Sequence, residues 1–279
     1  MTTEPVVDVA IGQPAPRLAS YVHRYVGYRY AGFPPGLHRG LPSRYLTFII
    51  SLDRPVEMVL DPDGTGPSLR MGAFVGGLQT WPAQIHHEGN EHGIAVELTP
   101  LGAPAVFGLP GGELAGQVVS LADLLGARSR ELSERLRETD GWPARFAVLD
   151  DVLLRGLSER YLAPGALRHA WDRLVQAGGS LDVETLAHDV GWSRRHLTER
   201  IRREVGLPPR QMNRVLRFER SCSLLRRAPA RSLTEIALDA GYFDHAHLTH
   251  EWQRLAGCSP STWLREELPS VQAGPALSV

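Results

Sequence analysis

The 279-residue chain contains no lysine, so all 30 of its basic side chains are arginine. A Schiff-base enzyme, a Walker-A nucleotide site and a kinase are thereby excluded. Each needs an aimed or deprotonated ammonium, which a guanidinium cannot replace. Only two cysteines occur, Cys222 and Cys258. They are too few for a disulfide framework, lack zinc-site spacing and read as small core residues. No uncharged apolar run approaches the roughly 20 residues of a membrane span. The opening MTTEPVVDVAIGQPAP carries Glu4 and Asp8 where a secretion signal would place basic residues. A cytoplasmic protein without a membrane partner is expected. Also missing are a Gly-x-Ser-x-Gly elbow, a Gly-x-Gly-x-x-Gly turn after a strand and a His-Glu-x-x-His helix, so no catalytic residue and no cofactor are expected.

What is present is ordinary globular composition, 43% hydrophobic and 22% charged, in a chain long enough for two domains. The net charge of -1 hides an asymmetry: residues 1–165 hold 14 Arg against 18 Asp and Glu, whereas 166–279 hold 16 Arg against 13. Between Val190 and Arg231 twelve arginines are opposed only by Glu199, Glu204 and Glu219. Concentrated arginine within a near-neutral chain is the footprint of a nucleic-acid face, because duplex DNA carries one phosphate charge per roughly 1.7 Å of axis.

Composition changes near Pro164-Gly165. Before it, Gly- and Pro-rich turns bound strand-like runs, YLTFIISL at 45–52 and GIAVEL at 93–98. From about Leu121 the apolar spacing turns helical, through Leu132 and Leu136 and then Phe146, Leu149, Leu153, Leu154 and Leu157. The expected class is α+β, with a β-rich barrel or sandwich over 1–163 closed by two helices, an all-α domain over 166–267 and a disordered tail over 268–279.

The strongest signal is an internal repeat. LAHDVGWSRRHLTERIRREVGLPP at 186–209 recurs as IALDAGYFDHAHLTHEWQRLAGCSP at 236–260, with equal Ala187–Gly191 and Ala237–Gly241 spacings. Each copy has the physics of a helix-turn-helix. Asp182 caps a short helix that buries Val183, Leu186, Ala187 and Val190, and Gly191 ends it, because only glycine enters the left-handed position without a Cβ penalty. Ser193 then caps a second helix burying Leu197, Ile201 and Val205. In the other copy Ser232 and Asp244 are the caps, Gly241 ends the first helix, and Leu248, Trp252 and Leu255 face inward. The outer faces are polar: Arg194, Arg195, Thr198, Glu199 and Arg202 in one copy, and His245, His247, Thr249 and His250 in the other. Such a stripe at a helix start suits major-groove reading, where arginine pairs guanine and glutamate accepts from cytosine. Residues 210–227 form one long helix that joins the copies rigidly. It would set the two recognition helices, 193–204 and 244–256, into successive major grooves about 34 Å apart.

Both motifs, the joining segment VLRFERSCSLLRR and the ending GYFDHAHLTHEWQRLAGCSPSTWLRE resemble the C-terminal DNA-binding domain of AraC/XylS-type bacterial transcription regulators. The resemblance covers about residues 166–267 and implies seven helices, double-stranded promoter DNA as partner and an activator or repressor role. Carried over by position, it adds His196 and Ala246 to the base-facing set. The histidines of the second motif stand where amides or arginine are more usual in the family. The resemblance further implies a sensing or dimerising N-terminal domain, often a cupin-like barrel, with an unknown small-molecule effector, a homodimer and RNA polymerase as further partners.

One N-terminal cluster invites a second function class, a metal-dependent cupin-like enzyme with the helical domain as an interaction module. His86, His87, Glu88, Glu91, His92 and Glu97 include types that bind zinc, iron or manganese. Adjacent His86 and His87 would point to opposite faces of a strand, however, and HHEGNEHG reads better as a solvated hairpin. Tyr21, Tyr25, Tyr28, Tyr30 and Phe33 are core residues, or else they line a pocket or dimer surface.

Overall fold

The computed structural model describes residues 5–61, 64–158, 161 and 163–266. Among them lie ten strands: β1 (Val6–Gly12), β2 (Val22–Ala31), β3 (Gly36–Gly40), β4 (Leu46–Ser51), β5 (Val56–Val59), β6 (Ser68–Met71), β7 (Ala73–Gly76), β8 (Ala83–His87), β9 (Glu91–Leu98) and β10 (Val118–Ser120). Four helices share the N-terminal half, α1 (Ala103–Phe107), α2 (Leu121–Leu125), α3 (Ala127–Glu138) and α4 (Trp142–Gly156). Seven follow, α5 (Gly165–Gln176), α6 (Val183–Asp189), α7 (Arg194–Val205), α8 (Pro209–Arg227), α9 (Leu233–Ala240), α10 (His245–Ala256) and α11 (Pro260–Glu266). The tail expected over 268–279 lies outside the described residues.

The strands form two antiparallel sheets, one ordered β1-β2-β9-β4-β7-β10 and the other β3-β8-β5-β6. β4 and β9 are central in the first and buried on both faces, which is why their sequences read as unbroken apolar runs. Strand alternation sorts the side chains. Tyr25, Phe48, Val75, Ile94 and Val96 point toward the helices and join the main core. Val26, Ile49, Phe74 and Ala95 point the other way and meet Met58 of the second sheet. The tyrosines of β2 divide accordingly: Tyr25 is core, while Tyr28 and Tyr30 face the space between the sheets.

α4 covers the outer face of β1 and β2 at close range. A Cβ at Gly27 would stand 2.2 Å from the Trp142 ring and one at Gly12 2.3 Å from the Phe146 ring, so both strands carry glycine at the approach. The Asp150 carboxylate of α4 accepts from Tyr25 Oη at 2.8 Å and from the Ala15 backbone N–H at 2.9 Å.

The hairpin expected at 86–92 is not formed. β8 pairs with β3 and β5 in one sheet, whereas β9 pairs with β2 and β4 in the other, so 88–90 is a crossover. Non-local bonds hold it: Phe33 N–H donates to Gly89 O at 3.2 Å and Gly32 N–H to Asn90 Oδ1 at 3.1 Å. Gly89 sits at φ +84°, the left-handed region that favours glycine.

The helical half is not a separate bead. Leu197, Ile201 and Val205 of α7 and Met212, Val215 and Leu216 of α8 belong to one buried cluster with the six-stranded sheet. The contact is made by the 3-10 turn Gly111–Leu114, where a Cβ on Gly112 would stand 2.2 Å from the Arg203 carbonyl oxygen. Phe218, Trp252, Leu255 and Trp263 form a second, smaller core around α8–α11.

Candidate nucleic-acid interface and cavity

Each expected cap is made. Asp182 accepts from the N–H groups of Glu184 and Thr185, Ser193 from that of His196 and Asp244 from that of His247. Ser232 and Glu235 form a reciprocal capping box. Gly191 and Gly241 take positive φ after the first helix of each motif. Caps and glycine stops together fix where α7 and α10 start, and so which side chains lead.

Those leading side chains are mostly in solvent. Arg194, Arg195, His196, Glu199, Arg202, His245, Ala246, His247 and His250 are exposed. Thr198 and Thr249 are half-buried: the Thr198 hydroxyl donates to the Arg194 carbonyl at 2.8 Å, and the Thr249 hydroxyl oxygen is buried without a hydrogen bond. Arg195 pairs with Glu199 at 3.2 Å with both side chains mainly exposed, a contact worth no more than about 0.5 kcal/mol and easily given up. His247 is oriented edge-on against Tyr242 at 5.3 Å, and His196 against Trp192 at 4.9 Å. The sequence reading missed Phe243, which is 84% exposed in the turn between α9 and α10, directly before the Asp244 cap. A second large aromatic residue in a four-residue turn was the available signal.

α8 holds α10 in place through a bidentate pair. Glu251 accepts from Arg214 Nε at 2.7 Å and Nη2 at 3.1 Å. Burial pushes the Glu251 carboxyl up, but the hydrogen bonds and charge of Arg214 outweigh it and hold the group below its ordinary 4.5. Because the folded pKa is depressed, the stabilisation is complete above pH 4.5 and is lost as pH falls through the lower folded value. Glu251→Gln should thus cost about 1–3 kcal/mol in urea melts at pH 7, and its difference from the native chain should shrink below pH 4.5. A difference independent of pH would refute this.

The N-terminal half contributes a cavity of about 100 Å³ between the sheets. Its wall is mainly apolar and aromatic, with Tyr28, Tyr30, Tyr45, Ile49, Met58 and Phe74, and includes Glu91. The segment from Gly40 to Ser43, with Tyr45, closes one side. The same segment grips the helical half. Glu219 of α8 accepts from Ser43 Oγ at 3.2 Å, from the Arg44 N–H at 2.9 Å and from Arg44 Nε at 2.7 Å. Leu41 packs on the second helical core, and Arg39 pairs with Glu266 at 2.9 Å.

Five members of the histidine–carboxylate cluster, His86, His87, Glu88, Glu91 and His92, line one groove beside the cavity, but each is differently placed. His86 is exposed, and the buried His87 accepts through Nδ1 from the Gly89 N–H. His92 turns toward α4, 3.2 Å from Arg145 Nη1, and Glu97 is locked to Arg24 at 2.6 and 2.9 Å. Among the described residues no three His, Cys, Asp or Glu are grouped to hold a metal ion. No described helix is long and apolar enough to cross a membrane.

Comparison with known proteins agrees with this geometry. Residues 186–266 match the family described as a helix-turn-helix domain. These residues are an AraC-type helix-turn-helix domain. Residues 12–120 match a domain of unknown function, DUF6597. No curated protein sequence matches the chain. Among solved structures the chain is similar to ToxT from Vibrio cholerae, at 10% identity and a TM-score of 0.51 over 94% of this chain and 98% of ToxT. ToxT bound to (E)-4-(8-methylnaphthalen-1-yl)but-3-enoic acid matches at 11% identity and a TM-score of 0.52, over 92% of this chain and 98% of that one. An AraC-type regulator domain from Chromobacterium violaceum matches at 23% identity and a TM-score of 0.34, over 39% of this chain and 94% of that one. The two-domain order, a β-rich unit followed by the AraC-type domain, is thus a known fold. α7 and α10 are the second helices of its two motifs, and the protein is a DNA-binding transcription regulator.

Proposed function

We propose that this regulator reads one extended promoter site per chain, with α7 and α10 in successive major grooves, and that a small molecule in the inter-sheet cavity controls the reading. Base contacts fall to Arg194, Arg195, His196, Thr198, Glu199 and Arg202 of the first motif and to His245, Ala246, His247, Thr249 and His250 of the second. In this reading the protein works in the cytoplasm on promoter DNA and RNA polymerase, alone or as a homodimer. Effector control is supported by one observation above all: the segment from Gly40 to Tyr45 both walls the cavity and clamps Glu219 on the helix joining the two readers. The fold similarity to ToxT, whose complex holds a small carboxylic acid, supports it further.

Population of the cavity would bias the position of that segment, and through Glu219 the mutual orientation of α7 and α10. Arg44→Ala should therefore change DNA affinity about 5- to 150-fold, the range of an allosteric coupling, although the reading places Arg44 away from DNA. Fluorescence anisotropy on a selected site checks this. An unchanged affinity in Arg44→Ala and Glu219→Gln would remove the segment from any relay.

A further inference from the structure

The charge balance of the cavity says what kind of molecule fits it. Apart from its tyrosines, the wall has among the described residues two titratable side chains, His38 and Glu91, and no arginine. Glu91 lies on β9 directly opposite Tyr30 of β2, on the face that carries Ala95 into the inter-sheet space. Among the described residues it forms no ion pair; the adjoining groove, which Glu91 also lines, carries Arg54 and Arg70, both largely exposed, Arg54 beside Glu88 and Arg70 3.9 Å from Glu57. Beside it stand the rings of Tyr28 and Tyr30, stacked with centroids 5.7 Å apart. Burial, with Glu91 adding, pushes the Tyr28 hydroxyl well above its ordinary range, so it stays neutral.

Aromatic faces attract cations through the ring quadrupole, and the half-buried Glu91 carboxylate, which lines both the cavity and the adjoining groove, adds a charge that attracts them. An anion would meet the Glu91 charge and find no arginine in the wall to pair with, so desolvation would oppose its entry. A cavity of this volume takes a compact ring rather than a long chain. We propose that the cavity between the two sheets binds a small aromatic cation, its positive group beside Glu91 and its ring among Tyr28, Tyr30 and Phe74. This rests on the reading of the cavity as an effector site, and it sets the chemical class of that effector apart from carboxylic acids.

The test is isothermal titration calorimetry of the full chain with benzyltrimethylammonium, benzyl alcohol, 3-phenylpropionate and oleate at fixed salt. The cation should bind at least tenfold more tightly than either one-ring competitor, and Glu91→Gln should bring it to the level of benzyl alcohol. Tighter binding of 3-phenylpropionate or oleate, an undiminished affinity in Glu91→Gln, or no binding by the cation would each overturn the assignment. The comparison among ligands on the native chain needs no variant to fold. DNA affinity measured with each ligand separates the two claims. Cation binding that leaves DNA affinity unchanged would uphold the ligand class and defeat effector control. A shift produced by an anion alone would defeat the class and uphold control.

Discussion

Trp252→Ala should destabilise the second helix-turn-helix by about 3–5 kcal/mol, the cost of emptying a large aromatic site in a packed core. Trp252 is fully buried, packs at a tilt against Phe218 at 4.8 Å and Trp263 at 5.3 Å, and donates from Nε1 to Ser221 Oγ at 2.8 Å. The core around it is separate from the one that unites the first motif with the β-sheets. Loss should therefore be local. Hydrogen exchange should show protection collapsing across α9–α11 while β4, β9 and α7 keep theirs. Uniform loss over the whole chain would mean that the two cores fold as one.

The second large effect concerns DNA. Arg195 lies exposed in the first turn of α7, where a recognition helix meets base edges, and Arg202 lies exposed in its last turn. A bidentate base contact is worth about 1–3 kcal/mol, so the double substitution to Ala should weaken specific binding by about thirtyfold or more. If either arginine instead binds phosphate, its loss should lower the salt slope by about one and weaken all sequences alike. Gel shifts across a salt series separate these outcomes. Unaltered binding by the double variant would remove α7 from the reading role.

The helical half was legible because its signals are local. Caps, glycine stops and the 3.6-residue spacing recur twice, and α7, α8 and α10 begin and end within a residue of the expected positions. The resemblance to AraC-type regulators rested on those same residues. The threonines were less legible: whether a hydroxyl bonds its own helix, as at Thr198, or is buried, as at Thr249, depends on rotamer and neighbours.

In the β-rich half, strand existence was legible and strand partnership was not. GIAVEL announces β9, but nothing within HHEGNEHG says that β8 and β9 enter different sheets; contacts with Phe33 and Gly32 decide that. Tyr25, Tyr28 and Tyr30 were grouped as one cluster, and strand alternation splits them between core and cavity. The clamp of Ser43 and Arg44 on Glu219 spans about 175 residues of chain and has no sequence signature.

One chain should read DNA with both α7 and α10. Hydroxyl-radical footprinting of the monomeric full chain on a site selected from random DNA tests it most directly. Two protected patches about 10 base pairs apart should appear on one face of the duplex, with Trp252→Ala erasing only one. A single patch of one half-site, unchanged by Trp252→Ala, would contradict it.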